Sequence, residues 1–511
     1  MNARSGTLRN TLFSSVGIYT EYVLGMLTSI IIARYLGPGD FGAYSMVVWL
    51  VAMGVAITNS GTASAAIRFV AEMRGSDRPE LIVPVLAFLR RAQRLFLLAV
   101  LLAGGALFAF AGGKLAPGFN HVVLFGFLVL AVTLRSQYMF NIGVCKGFED
   151  FRSTAIVALV ATPANLALVV ACWWFDAPVE ALLAVFVVSS AVFFAVSHHK
   201  ARALLPAVPP APALPPELRA RIARHMRMTA MIVTVGFFAA SEVEVLFLNL
   251  YGLAAAAGQF KVAYQLASGA ALLVPGVFGA LLLPMMAHAL SQGREIAGRR
   301  FAASTVYLSL LAFPLIAFGF VFGSSVITLL FGSAYQAAGP VFAWCLFAAS
   351  IVTVSQGGSS LLLSADRQVV VLLVVIFCGL LKIALDALLI ARYGLDGAAT
   401  AYVIVSLASS ASMIGMGIRT SGVGLDVGRL ARIALAAALA AAAAWPLRGQ
   451  WPPLPTLLVG GLVLAPVYAL ATLLLRCWSE ADIGHLRLLH ARFARGRPRV
   501  LAQLLAWAER R

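Results

Sequence analysis

Seven ionisable residues stand deep inside the long apolar stretches of this chain: Glu21, Arg135, Glu242, Glu244, Lys261, Lys382 and Asp386. A charge at the centre of a hydrocarbon span costs about 3 kcal/mol on insertion scales, so such groups face a partner or a watery cavity. Lys382 and Asp386 are four residues apart on one helical face and can neutralise one another. Glu242 and Glu244 are two apart, so they point about 200° away from each other and only one looks straight into a cleft. An embedded carboxylate could hold a proton and couple movement to a proton gradient, or act as counter-ion to Lys261 or Arg135. No G-x-x-x-x-G-K-[ST] loop, H-E-x-x-H or C-x-x-C spacing accompanies these charges. The pattern therefore predicts neither an ATPase, a metal site nor a cofactor, but the passage of a charged cargo across a membrane.

The elements that must position these groups follow from composition. Of 511 residues, 61% are hydrophobic and only 11% charged, too little polar surface to cover soluble cores of this size. Apolar runs of about 20 residues recur from end to end, each long enough to cross a hydrocarbon core about 30 Å thick. They lack the period-two alternation of barrel strands. The expected fold class is an all-α polytopic membrane protein with about 14 transmembrane helices. Spans are expected at about 11–33, 41–66, 92–111, 121–144, 153–174, 178–197, 226–250, 254–286, 302–330, 337–363, 368–391, 395–418, 428–446 and 454–476. The first run is too long for a signal-peptide core. The five cysteines are dispersed and read as small packing residues.

The net charge of +18 would suggest nucleic acid in a soluble chain; here it reads as topology signals and contacts with anionic membrane lipids. With the N-terminus inside, only Arg34, Lys114, Arg392 and Arg448 of the 38 Lys and Arg fall in outside loops, and Arg135, Lys261 and Lys382 fall within spans. That bias predicts a multi-pass protein of a bacterial inner membrane with both termini cytoplasmic. Residues 198–225 hold six prolines among basic residues and form a stiff cytoplasmic linker. It separates a first lobe of six spans, 1–197, from a second, 226–418. Two further spans at 419–476 and a basic amphipathic tail at 477–511, lying on the inner leaflet, complete the chain.

Tyr35, Gly42 and Tyr44 match Tyr251, Gly258 and Phe260 at a constant offset of 216 residues, one set on either side of the linker. With six spans per half, equivalent spans keep one orientation. This is a parallel repeat of two six-helix lobes, whose rocking about a central cleft gives alternating access.

The stretch Ala33-Arg-Tyr-Leu-Gly-Pro-Gly-Asp-Phe-Gly-Ala-Tyr44 is followed in order by Gly258-Gln-Phe260, Leu283-Pro-Met-Met286 and Leu330-Phe-Gly-Ser-Ala-Tyr335. Leu363-Ser-Ala-Asp-Arg367 and Tyr393-Gly-Leu-Asp-Gly-Ala-Ala399 close the series. On these landmarks the chain resembles the Wzx-type polysaccharide or O-antigen flippases of the MOP superfamily, which also holds the lipid II flippases and the MATE drug exporters. The resemblance implies a two-lobed fold of twelve or fourteen helices. It also implies a cargo of undecaprenyl-diphosphate-linked oligosaccharide, moved from the cytoplasmic to the periplasmic leaflet for lipopolysaccharide O-antigen or exopolysaccharide biosynthesis.

Such a cargo needs cations for its diphosphate. Lys261, in the first two turns of its span, is the leading candidate; its alternative is snorkelling to the outer interface. Arg135 sits too deep to snorkel, and either binds phosphate or pairs with a carboxylate to lock the first lobe. Arg68, at the inner end of the second span, receives the diphosphate or anchors topology. Lys382 lines the cavity or forms a structural pair with Asp386, and Glu21 lies mid-span between Tyr19 and Tyr22. The other functions to weigh are a cation-coupled drug exporter on the same fold and a polysaccharide polymerase. The short outward loops argue against any enzyme. The expected protein partners are a polysaccharide polymerase or glycosyltransferase, and a single copy suffices for transport.

Overall fold

A computed structural model describes residues 2–115, 120–207, 209, 213–240, 242–273, 276–479 and 482–484. Among them the fold is all-α, without a strand. The helices are α1 (Asn2–Asn59), α2 (Thr62–Gly75), α3 (Ile82–Leu115), α4 (His121–Gly147), α5 (Phe151–Trp174), α6 (Val179–Ala203), α7 (Pro216–Ala240), α8 (Val243–Leu250) and α9 (Ala254–Leu273). They continue as α10 (Gly276–Gln292), α11 (Arg294–Phe331), α12 (Ala338–Val354), α13 (Gln356–Ser364), α14 (Gln368–Leu385), α15 (Ala391–Ser421), α16 (Val427–Ala444) and α17 (Pro453–Leu474).

Ten stretches among the described residues are long and apolar enough to cross a membrane, eleven if the bent pair α7–α8 counts as one. Two of them, Tyr19–Asn59 and Gln368–Ser421, are 41 and 54 residues long, more than one crossing requires. In α1 the helix breaks at Gly37, at φ 71° and ψ 174°, just before Pro38. A glycine tolerates that positive φ, and the following proline cannot continue the hydrogen-bond ladder. Before the break α1 runs alongside α5, with Gly17 at Ala155 and the Tyr35 hydroxyl donating to the Ala177 carbonyl. After it the chain runs alongside α4: Gly54 lies at Val132, and beyond α1, in α2, Ala63 lies at Gly143. Helices α4 and α5 are joined by a tight turn capped by Asp150 and run oppositely, so α1 is two crossings.

The 54-residue stretch is likewise a hairpin, broken at Gly394 with φ 54°. Gly397 packs on Leu389, Tyr402 on Lys382, and Ser409 bonds Cys378. The ten candidate helices therefore hold twelve crossings. The sequence landmarks Leu36-Gly-Pro38 and Tyr393-Gly394 are the two reversal points.

By packing, the chain forms two compact units, Met1–Lys261 and Val262–Arg511. In the first, the core joins Phe69, Ile82, Leu89 and Phe140 to Leu218, Ile222 and Met226. The helix after the proline-rich stretch thus begins at Pro216, ten residues before the expected span, and its first turns bury against α2, α3 and α4. Apolar residues at 218, 222 and 226 give one buried face with fourfold spacing. The second unit is built on α11. Phe301 and Leu308 pack with Met286 and Leu361 at one level. At another, Phe322 meets Ala440 and Leu464 of the last two helices. Gly460 admits the Phe322 ring, and Tyr468 donates to the Leu310 carbonyl at 2.9 Å. Most of the expected basic tail, 485–511, lies outside the described residues.

Candidate functional site

In the first unit, α7 and α8 bend by 56° at a break ending on Glu242. A helix broken inside an apolar span exposes backbone groups that must be satisfied, which membrane proteins tolerate where a polar site is built. Glu242 is the residue before α8, and its carboxylate pairs with the Lys261 ammonium from α9. Both side chains keep partial exposure, 20% for Lys261 and 18% for Glu242. Glu244 is fully buried. The expected division of the two glutamates thus holds, one accessible and one enclosed. The structure joins the leading cation candidate to a counter-ion rather than leaving it to snorkel.

Arg135 of α4 is half-buried in an aromatic cage. Its guanidinium carbon lies 4.4 Å from the Phe193 ring centre, 5.2 Å from Phe186 and 5.8 Å from Tyr138. Its Nε donates to the Ser190 hydroxyl at 3.1 Å, and Glu21 stands within electrostatic range. Cation–π contacts are worth more when desolvated, so this geometry ties α4 to α6. It serves the lock better than a mobile phosphate ligand. Glu21 is exposed at its place in α1. Arg68, exposed at the inner part of α2, meets the ring Nδ1 of His225 at 3.2 Å.

The segments of the internal repeat meet within this same unit. A methyl group on Gly42 would overlap the carbonyl oxygen of Ala254, and one on Gly258 would overlap that of Pro38. At the 216-residue offset Pro38 corresponds to Ala254 and Gly42 to Gly258, so the contact is reciprocal. Each glycine seats the other's partner, as in any two-fold-related pair of segments. Asn249 adds a hydrogen bond to the Gly42 carbonyl at 3.2 Å.

In the second unit Lys382 is 1% exposed and Asp386 0%. Asp386 opens a π-helical turn, Asp386–Ile390, that continues α14. Such turns are rare and recur at functional sites. The Lys382 ammonium lies 5.6 Å from the Tyr402 ring centre, and Tyr264 meets that ring edge-on at 5.2 Å. Lys382 and Asp386 belong to one sealed polar cluster with these tyrosines. The proposed cavity residues therefore separate: Lys261 and Glu242 come together, Lys382 and Asp386 form another group, and Arg135 and Arg68 each have neighbours of their own.

Sequence reasoning missed the aromatic partners Phe186, Phe193, Tyr264 and Tyr402, which carry no charge to mark them in an apolar span. It also missed a buried polar joint in the first unit. The Gln93 side-chain amide donates at 2.9 Å to the Asn59 side-chain oxygen and to the Ser136 carbonyl. Three polar residues at matched depth in three spans were the available signal. Among the described residues no cluster of His, Cys, Asp or Glu could hold a metal.

The first 290 residues carry the family. The polysaccharide biosynthesis protein model matches residues 7–290, more than half of the chain, and the chain belongs to that family. In fold it is a MOP-superfamily transporter. It superposes on the lipid II flippase MurJ in an inward closed conformation with a TM-score of 0.72 at 11% identity, covering 90% of this chain and 98% of that one. A multidrug resistance MATE family transporter in an inward-facing conformation gives 0.63 at 12% identity, over 80% of this chain and 97% of that one. A mutant form of the Vibrio cholerae MATE transporter VcmN gives 0.52 at 14%, over 81% and 97%. No curated protein matches the sequence.

Proposed function

We propose that the protein is a flippase for undecaprenyl-diphosphate-linked oligosaccharide in a bacterial inner membrane, with both termini cytoplasmic, supplying surface polysaccharide synthesis by alternating access. The observation that carries the reading is the Lys261–Glu242 pair at a broken span, inside the segment that matches the polysaccharide biosynthesis family. A cation held by one half-exposed carboxylate can exchange that partner for a phosphate oxygen with little net loss of charge neutralisation. The deeply buried Lys382 cluster lacks that freedom. Glu242, once released, can take a proton, which would link cargo movement to the proton gradient. A polymerase or glycosyltransferase would supply and consume the cargo on the two sides, with a single copy of the chain sufficing for passage.

The likeness to MATE transporters supports a second reading, a cation-coupled drug exporter. Gene deletion separates the two. The flippase reading expects loss of surface polysaccharide and accumulation of lipid-linked units on the inner leaflet, restored by the wild-type gene but not by Lys261→Ala at equal protein level. Unchanged polysaccharide with drug hypersensitivity would establish the exporter instead.

A further inference from the structure

Three arginines of α3, Arg90, Arg91 and Arg94, are consumed by neither the fold nor the proposed transport site. They line a cavity of about 340 Å³ together with Leu86 and Leu205. Arg90 is half-buried with its guanidinium 5.8 Å from the Phe140 ring centre, while Arg91 and Arg94 are exposed. Among the described residues none of the three pairs with a carboxylate, although Glu72–Arg221 and Arg78–Glu80 pair nearby in the chain. Three like charges around one small cavity repel each other, and the repulsion grows where the surroundings are apolar.

The same face of the helix supplies the second half of a lipid site. Residues 91, 95, 98 and 102 follow a 4-3-4 spacing and form one stripe. Leu95, Leu98 and Leu102 are 63%, 53% and 66% exposed. From Arg91 to Leu102 a helix rises about 16 Å, close to the hydrocarbon depth of one leaflet. A guanidinium trio at the foot of a leucine stripe one leaflet long fits a molecule with an anionic head and a hydrocarbon chain. Guanidinium forks bind phosphate oxygens bidentately, which a scattered set of topology arginines would not require.

We infer that the Arg90–Arg91–Arg94 cavity binds the phosphate of an anionic glycerophospholipid, whose acyl chain lies along Leu95, Leu98 and Leu102. The bound phosphate offsets the mutual repulsion of the arginines and fixes the depth of α3 in the bilayer. The site needs no transport step, so its test stands apart from that of the flippase reading.

Full-length protein in detergent, studied by native mass spectrometry with added phosphatidylglycerol, tests the inference. Wild type retains phosphatidylglycerol through delipidation, and Arg90→Ala/Arg91→Ala/Arg94→Ala loses at least tenfold in retention. Arg91→Gln/Arg94→Gln changes only exposed side chains, so it folds and shows the same direction if the triple variant does not. Arg299→Ala, whose side chain is exposed and paired with Glu295, leaves retention unchanged. Equal retention by the folded double variant overturns the site, as does equal binding of zwitterionic phosphatidylcholine. Inorganic phosphate alone does not displace the lipid if the leucine stripe contributes. Preferential binding of a polyprenyl diphosphate over phosphatidylglycerol would make the cavity a cargo entry point and overturn the assignment.

Discussion

Lys261 with Glu242 and Lys382 with Asp386 are two pairs of opposite charge within apolar helices, yet the molecule treats them differently. The first pair is about one-fifth exposed and stands where α7 and α8 break. The second is 1% and 0% exposed, in continuous helix with a π turn and two tyrosines around it. Burial sets what each can do. A sealed charge must keep its partner, because losing it leaves an uncompensated ion in a low dielectric. A half-exposed pair is worth little as an interaction and can change partners. Spacing along the chain cannot reveal this difference; the depth of enclosure does.

The largest expected effect is therefore at the sealed pair. Lys382→Met leaves Asp386 without its neighbouring cation and costs about 3–5 kcal/mol, enough to remove most folded protein. Lys382→Met/Asp386→Leu recovers much of that, because a well-packed apolar pair can replace a buried ionic one. Thermal unfolding of the purified variants in detergent reads both. Equal stability of Lys382→Met and wild type would abolish the distinction between the two pairs.

The reciprocal glycines come next. Gly42→Ala and Gly258→Ala each force a methyl against a backbone carbonyl, a strain of about 1–3 kcal/mol. The two variants should lose similar amounts, because each glycine seats the equivalent of the other's partner. A large loss in one and none in the other would break the two-fold reading of the contact. Crosslinking of cysteines placed at 38 and 254 in the wild-type background reports whether the close approach persists during turnover.

Much of this was readable in the sequence, and the exceptions have physical causes. The reversals at Leu36-Gly-Pro38 and Tyr393-Gly394 follow from local backbone chemistry, so short motifs announced them. The repeat at offset 216 was visible because the close approach of two backbones admits only glycine. The pairing of Glu242 with Lys261 required the bend before α8, which the unbroken apolar run 226–250 concealed. The cage around Arg135 comes from Phe186 and Phe193, which resemble any lipid-facing aromatic until α6 is packed on α4. The early start of α7 at Pro216 was hidden by prolines that read as linker.

At the half-exposed pair the expected stability effect is small and the functional effect large. Lys261→Ala should change unfolding by about 1 kcal/mol or less, while export of surface polysaccharide falls at least tenfold. Lys261→Arg keeps the charge and should retain part of the export. Glu242→Gln removes the exchangeable carboxylate and should flatten the dependence of export on the proton gradient. Normal export by Lys261→Ala at wild-type protein level would remove this pair from the transport path and leave the fold standing.

The smallest effect belongs to a latch beyond the last span. Asp482 accepts from Tyr307 at 2.6 Å, from the Ser479 hydroxyl at 2.6 Å and from Arg429 at 3.0 Å, and Arg429 also donates to the Cys477 carbonyl at 2.6 Å. Burial alone would raise the Asp482 pKa, but the bonds from Ser479, Tyr307 and Arg429 outweigh it and hold the carboxyl below the ordinary carboxylate range. A depressed folded-state pKa means the unfolded chain binds the proton more readily. The latch therefore contributes its full stability above the ordinary carboxylate pKa of about 4 and loses it as pH falls below that value through the folded-state one. Asp482→Asn should remove this component, giving a shallower decline in unfolding temperature between about pH 5 and pH 3 and a slightly lower one at pH 7. Because the group is on the inner surface, the difference is screened and should shrink further in high salt. An identical acid limb in variant and wild type would show that the tail segment after Cys477 is held by packing on α11 and α16 rather than by this charge.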